Sequence, residues 1–340
     1  NSMSSLNDMS YSIPNKDAIV YLDRFSIDVG TMKQIKHMIE HPSMVKVRIM
    51  PDCHRGNRCC IGLTSELTTT IVPNFVGGDI GCGILAYPIG NSCKDQGCNK
   101  IEAIIREKIK MGSGVRSVWE TPIAVPEDIV NICIDAESVA YEFANAYSKK
   151  FNDKKIYNYI PKYNQEWFEG LCKRINSDID YDMRSLGTLG SGNHYVEICV
   201  NKDSNEYLII HSGSKNFGSK VCSFHQNKIN ESRRFDFKYF TEKIRHFKRQ
   251  HKDNVSLATF TTQLADKMKS EMHPNYLEGV ECYEYFFDMI FAQKYAQYNR
   301  RIMLRNVISE LNIEYSEEKE IESIHNYIEF NDLRIRKGAI

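Results

Sequence analysis

The sequence predicts a single mixed α/β domain whose sheets and flanking helices enclose a polar cleft. Apolar runs of strand length recur at 18–22, 45–50, 61–63, 67–72 and 84–87, bounded by turn-forming residues. Helical periodicity occupies 31–40, 99–111, 135–149 and 283–310. Glycine-rich segments carrying Asp, Cys, His or Asn sit between these elements, and polar residues on such loops are where sites are built. The 340 residues can bury a large core, and neither an internal repeat nor a linker divides them. Residues 17–340 read as one domain, and 1–16 as a disordered or artificial start that carries no fold information.

Composition narrows the functional classes. Lys and Arg total 44 against 44 Asp and Glu, so no global basic field announces nucleic acid, and any such surface must come from local clustering. Eleven cysteines, an odd number without repeating spacing, and no apolar N-terminal signal point to free thiols in a reducing, cytoplasmic compartment. No apolar run approaches the roughly 20 residues that span a bilayer.

In chain order, the 31–40 helix is expected to start at Thr31 as N-cap and to stop before Pro42. The alternating strand 45–50 leads into PDCHRG, read as a turn presenting Asp52, Cys53 and His54. Asp52 and His54 are acid/base or ligand candidates, or equally a capping carboxylate and a surface histidine. GGDIGCG at 77–83 is read as a loop between strands. Its glycines let a ligand approach the main chain. A tight turn there aims Asp79 and Cys82 at one point, as a metal requires, although a packing turn with a buried cysteine fits the same residues.

A second dense segment, SLGTLGSGNHYVEICV at 185–200, places Asn193 and His194 after three glycines and before a strand bearing Glu197. A third, LIIHSGSKNFGSK at 208–220, is a strand ending at His211 followed by a Ser-Gly-Ser turn whose backbone N–H groups suit phosphate. The basic-aromatic segment 232–252 reads as an amphipathic helix with a solvated cationic face, or as a platform for RNA. Near the end, His325 and Asn326 in IESIHNYIEF fall in or beside a strand.

Asp79, Cys82, His194, His211 and His325 together exceed the needs of one four-coordinate structural metal. Two cations sharing the thiolate would clamp a phosphoryl group, with Asn193, Ser212 and Ser214 as neutral donors. Cys and His favour zinc or iron, so the donor set alone leaves the metal open.

MPDCHRG, GGDIGCG, LGTLGSGNHYVE, IIHSGSKNFG, AQKYAQYNR, IHNYIE and RKGA, in this order from Met50 to Ala339, resemble the RtcB family of RNA ligases. That resemblance implies joining of RNA 3′-phosphate or 2′,3′-cyclic phosphate ends to 5′-hydroxyl ends with GTP and two manganese ions, in tRNA splicing or RNA repair. It implies that Asp79, Cys82 and His194 hold one ion, that Cys82, His211 and His325 hold the other, and that Cys82 bridges them. It also places Asn193 and Glu197 at the nucleotide and phosphate site and Asp52 beside the attacking 5′-hydroxyl. In the family a C-terminal histidine accepts GMP and passes it to the RNA 3′-phosphate. This sequence ends at Ile340 just after RKGA, and none of its ten histidines stands in that motif, so the guanylylated segment is expected to be missing. The turn RGNRCCIG, with Arg55, Asn57 and Arg58, also departs from the family pattern, and the length is similar to a compact repair branch. The alternatives are a phosphate-ester enzyme that lost nucleotide transfer and a metal-stabilised RNA-binding protein. An accessory activator protein is a further partner for the ligase reading.

Overall fold

The computed structural model describes residues 10–13, 16–56, 59–114, 125–232, 237–250, 254–270 and 275–338. Most of the 1–16 start, Asn57, Arg58, Arg233, Arg234, Lys252 and Ala339 lie outside them.

The strands are Tyr11–Ser12 (β1), Ala18–Val20 (β2), Val45–His54 (β3), Ile61–Glu66 (β4), Thr70–Ile71 (β5), Gly83–Gly90 (β6), Tyr195–Val200 (β7), Glu206–Ser212 (β8), Leu277–Glu278 (β9), Ile321–Ile324 (β10), Asn326–Glu329 (β11) and Arg334–Lys337 (β12). The helices are Val29–Ile39 (α1), Pro73–Val76 (α2), Ser92–Gln96 (α3), Cys98–Lys108 (α4), Val125–Phe151 (α5), Gln165–Arg174 (α6), Ile179–Ser185 (α7), Lys215–Ser232 (α8), Phe237–Gln250 (α9), Asn254–Ser270 (α10) and Val280–Glu310 (α11). The fold is therefore mixed α/β, as the sequence predicts.

A six-stranded sheet runs β1-β2-β3-β4-β12-β11, and a four-stranded sheet runs β10-β6-β8-β7. β2 and β3 are parallel, and α1 makes the crossover that parallel neighbours need. The other pairings in both sheets are antiparallel.

Strand period fixes what each face does. In β6 and β8, Leu85, Tyr87, Ile89, Leu208 and Ile210 point into a core shared with Ile101 and Ile105 of α4 and with Met303, Leu304 and Val307 of α11. The alternate residues, Ile84 and His211, oppose one another across the two strands on the reverse face. That face belongs to the functional site.

Helix α11 is the axis of the molecule. At 31 residues it is about 46 Å long at 1.5 Å per residue. Its first half carries Phe286, Phe291 and Tyr295 into the larger core, and its second half supplies the smaller one. A helix buried on all sides has no single apolar stripe. Its polar residues Asn299 and Arg300, both fully buried, consequently need partners inside the protein.

Several sequence expectations are corrected. Asp28, not Thr31, caps α1: its carboxylate accepts from the Gly30 and Thr31 amides at 2.8 and 3.0 Å. Thr31 sits inside the first turn with its hydroxyl on the same carboxylate. The PDCH residues are not a turn but the end of β3, with register shifts between Ile49 and His54. The 67–72 strand contracts to Thr70–Ile71, and the glycine loop follows the one-turn helix α2 rather than a strand. The amphipathic helix expected within 232–252 is present as α9. It packs on α10 with Phe247 and Phe260 stacked at 4.1 Å, and none of the described side chains of this hairpin is buried.

Phe291 is fully buried against the rings of Trp167, Phe168 and Phe217 at 5.0, 5.3 and 5.8 Å. Phe291→Ala is expected to lower stability by about 3–5 kcal/mol, the usual range for a large-to-small change in a packed aromatic core, as read from a denaturant titration followed by circular dichroism.

Candidate metal centre

The five expected ligands arrive on four segments and meet where the two sheets join. Asp79 and Cys82 lie on the loop between α2 and β6, His194 immediately precedes β7, and His211 is the penultimate residue of β8. His325 is the single residue between β10 of the four-stranded sheet and β11 of the six-stranded sheet. The main chain holds these segments together. The Gly81 amide donates to Asn326 O at 2.7 Å and the His325 amide to Cys82 O at 2.9 Å, so the glycine loop and the sheet junction are stitched directly.

Two glycines make this approach sterically feasible. Gly81 has φ +71° and a Cβ there would stand 2.9 Å from Gln293 Cα on α11. At Gly213 a Cβ would fall 2.3 Å from the Asp79 carboxylate. The backbone must come this close for the loop to reach α8.

Two ligand groups, Cys82–His211–His325 and Asp79–Cys82–His194, each gather their donor atoms within 4.8 Å and share Cys82. His194 Nε2 is 2.8 Å from Asp79 Oδ2 and 3.5 Å from Cys82 Sγ. His211 Nε2 is 3.3 Å from the same sulfur and 3.2 Å from His325 Nε2. His194 is oriented by its other nitrogen: Nδ1 faces Leu189 O at 2.9 Å, and a carbonyl only accepts, so Nδ1–H donates there and Nε2 is the atom turned to Asp79 and Cys82.

The electrostatics favour a cation. Burial, then neighbouring His211, takes His325 down to about 4. Burial, then His194, also lowers His211. The charged imidazolium form of each ring is thus disfavoured. Burial and the Asp79 carboxylate push the Cys82 thiol well above its ordinary value. At Asp79 burial acts upward, but the hydrogen bond and charge of His194, with the Lys215 amide, outweigh it and hold the carboxyl below its ordinary value. Nitrogen, sulfur and carboxylate donors converging in a buried place suit a soft-to-borderline divalent ion, which would displace the Cys82 proton on binding.

The remaining candidates divide. Asn193 lines a cleft of about 470 Å³ together with Gly78, Asp79, Tyr181, His194 and Asn216. Glu197 does not line that cleft: it borders a separate surface cavity with Cys93 and Cys98, although it lies two residues along β7 from Tyr195, whose ring meets His211 at 5.1 Å. Ser212 and Ser214 are turned inward. Their hydroxyls donate to Leu189 O and Ile80 O at 2.8 and 2.5 Å, so each hydroxyl proton is directed into the fold. Asp52 and His54 are exposed on β3. His54 Nδ1 meets Asp52 O at 2.9 Å, and neither side chain is hydrogen-bonded to the five ligands.

Three residues were not assigned a role from sequence. Lys215 opens α8, where its amide donates to Asp79 Oδ1 at 2.7 Å. Its ammonium is enclosed by Ser185 O, Thr188 O and the Thr188 hydroxyl at 2.6–2.8 Å, and burial takes it down to about 7. Asn299 and Arg300 reach the loops from α11. The only sequence signal for these two was their place in the AQKYAQYNR run.

With this geometry in view, the family profile described as tRNA-splicing ligase RtcB matches residues 34–340. The chain belongs to the RtcB family. Relatives include the RNA-splicing ligase RtcB of Escherichia coli (strain K12), 23% identical over 84% of this chain and 58% of the relative. The tRNA-splicing ligase RtcB of Methanococcus maripaludis is 27% identical over 60% of this chain and 45% of the relative. That of Nanoarchaeum equitans is 23% identical over 61% and 46%. The chain therefore spans about half the length of these RtcB relatives, and the family profile covers all the segments that build the centre.

Because Cys82 belongs to both ligand groups, Cys82→Ala is expected to abolish metal retention at both, whereas His325→Ala removes only one. Elemental analysis of protein equilibrated with Mn²⁺ and desalted distinguishes them, and equal metal content in the Cys82 variant and the parent would overturn the shared-ligand assignment.

Proposed function

We propose that this chain is the metal-binding catalytic domain of an RNA ligase that joins 3′-phosphate or 2′,3′-cyclic phosphate ends to 5′-hydroxyl ends with GTP and two manganese ions, in tRNA splicing or RNA repair. The observation that carries the reading is one thiol, Cys82, common to two ligand triads in a chain of the RtcB family. In this assignment Asp79, Cys82 and His194 hold one ion, and Cys82, His211 and His325 the other. The bound ions would screen phosphate charge and accept its oxygens.

The protein's own groups then have defined tasks. The Lys215 amide at the start of α8 fixes one oxygen of Asp79, leaving the other for the cation. Leu189 O fixes the His194 ring through Nδ1, an outer-shell contact of the kind that sets ligand orientation. Asn193, exposed at the rim of the 470 Å³ cleft, is placed to donate to a phosphate or nucleotide. Glu197 and Asp52 are assigned to the nucleotide and to the 5′-hydroxyl. Both stand outside the cleft, so these two roles need substrate to extend from the metals along β7 and towards β3. The free cysteines, including Cys82, suit a reducing cytoplasmic setting, and among the described residues no helix is long and apolar enough to cross a membrane.

The full-length product of the gene, given Mn²⁺ and GTP, is expected to gain the mass of one GMP and to join a 2′,3′-cyclic-phosphate RNA to a 5′-hydroxyl RNA. Both outcomes should vanish without Mn²⁺. Retained metal and RNA binding with neither adduct nor joined product would instead identify a binding protein that has lost nucleotide transfer.

A further inference from the structure

We propose that Arg300 is a positioning residue of the metal centre, setting the distance between the segments that carry Cys82, His211 and His325. The inference rests on the reading of these side chains as metal ligands and is independent of the ligase reading. Arg300 is fully buried on α11. Its Nη1 donates to Gly81 O at 2.8 Å and to Ser212 O at 2.7 Å, and those carbonyls belong to the residue before Cys82 and the residue after His211. Its Nε and Nη2 meet Glu322 Oε1 at 3.0 and 2.5 Å, and Glu322 lies on β10 three residues before His325. One rigid planar group thus touches all three ligand-bearing segments, and its fork geometry fixes their relative angles as well as their distances.

Neutralising a buried carboxylate would not require this arrangement. A single contact to Glu322 suffices for that, yet both hydrogens of Nη1 are directed at main-chain carbonyls of two different strand ends. Glu322 in turn cancels the guanidinium charge, so the rivet can sit beside a cation site without adding a net positive charge that would repel it.

The neighbouring Asn299 extends the frame to the His194 side. Its Oδ1 accepts from the Gly187 and Thr188 amides at 2.9 and 3.2 Å, and its Nδ2 donates to Ser212 Oγ at 3.0 Å and Gly213 O at 3.2 Å. Ser212 Oγ donates to Leu189 O, the same carbonyl that orients His194.

Cobalt(II) titration tests the proposal, because a thiolate-to-cobalt charge-transfer band reports ligand geometry rather than stability. Arg300→Lys keeps a cation for Glu322 but cannot bond both carbonyls while doing so. The double variant Arg300→Met with Glu322→Met removes the buried charges together. Both are expected to raise the cobalt Kd about 10-fold or more, in the range measured when outer-shell partners of metal ligands are removed, and to shift or weaken the band. Thermal melts and near-ultraviolet circular dichroism establish that each variant is folded. A folded variant of either kind with parental Kd and band would overturn the positioning role, and one folded variant is enough to decide. If the parent itself binds cobalt without a thiolate band, the metal-centre reading fails along with this one. Loss of GMP transfer with the band intact would instead sink only the ligase reading.

Discussion

Two imidazole nitrogens face each other at 3.2 Å, and the Cys82 sulfur lies 3.3 Å from one of them. Burial disfavours the charged form of both histidines, and the neutral pair can share one N–H between the facing nitrogens, a proton that a cation would displace. The rest of the molecule holds them in that arrangement. The glycine loop comes close enough only because Gly81 and Gly213 leave no side chain in the way, and the junction between β10 and β11 is stitched to that loop through main-chain bonds. The donors are thereby brought together by the surrounding fold, the preorganisation that a metal site needs.

The stiffness needed for this comes from α11. The helix is buried along its length between two apolar cores, so displacing it would open both. Its only fully buried residues with strong hydrogen-bonding heads near the centre, Asn299 and Arg300, are aimed at the loops beside the ligands. Packing energy far from the site is in this way converted into fixed distances at the site. The α9–α10 hairpin is the opposite case: its described side chains are at most half-buried, so it adds little to the frame on which the ligands stand.

Part of this was legible from local chemistry. The alternation in 45–50 and 84–87, the length of the 283–310 periodicity and the glycines beside Asp79, Cys82 and His194 are consequences of backbone sterics and side-chain period, which neighbours in sequence dictate. The misreadings arose where tertiary pairing overrides those signals. Pro51 reads as a turn former, yet β4 pairs with the chain across a bulge and carries β3 on to His54. Thr31 reads as a cap, but the first competitor for the free amides is Asp28, three residues earlier. The hydroxyl directions of Ser212 and Ser214 were not legible either, because only the location of Leu189 O and Ile80 O shows where their protons go.

By itself the sequence determined the mixed fold class and the residue types of the centre, because glycine, histidine and cysteine at fixed spacing reflect local backbone geometry and ligand chemistry. Tertiary structure alone decided that Cys82 stands between the two groups, that Asn193 lines the cleft while Glu197 does not, and that Lys215, Asn299 and Arg300 hold the frame. Those facts depend on distances between segments far apart in the chain, and no local pattern encodes a distance of that kind.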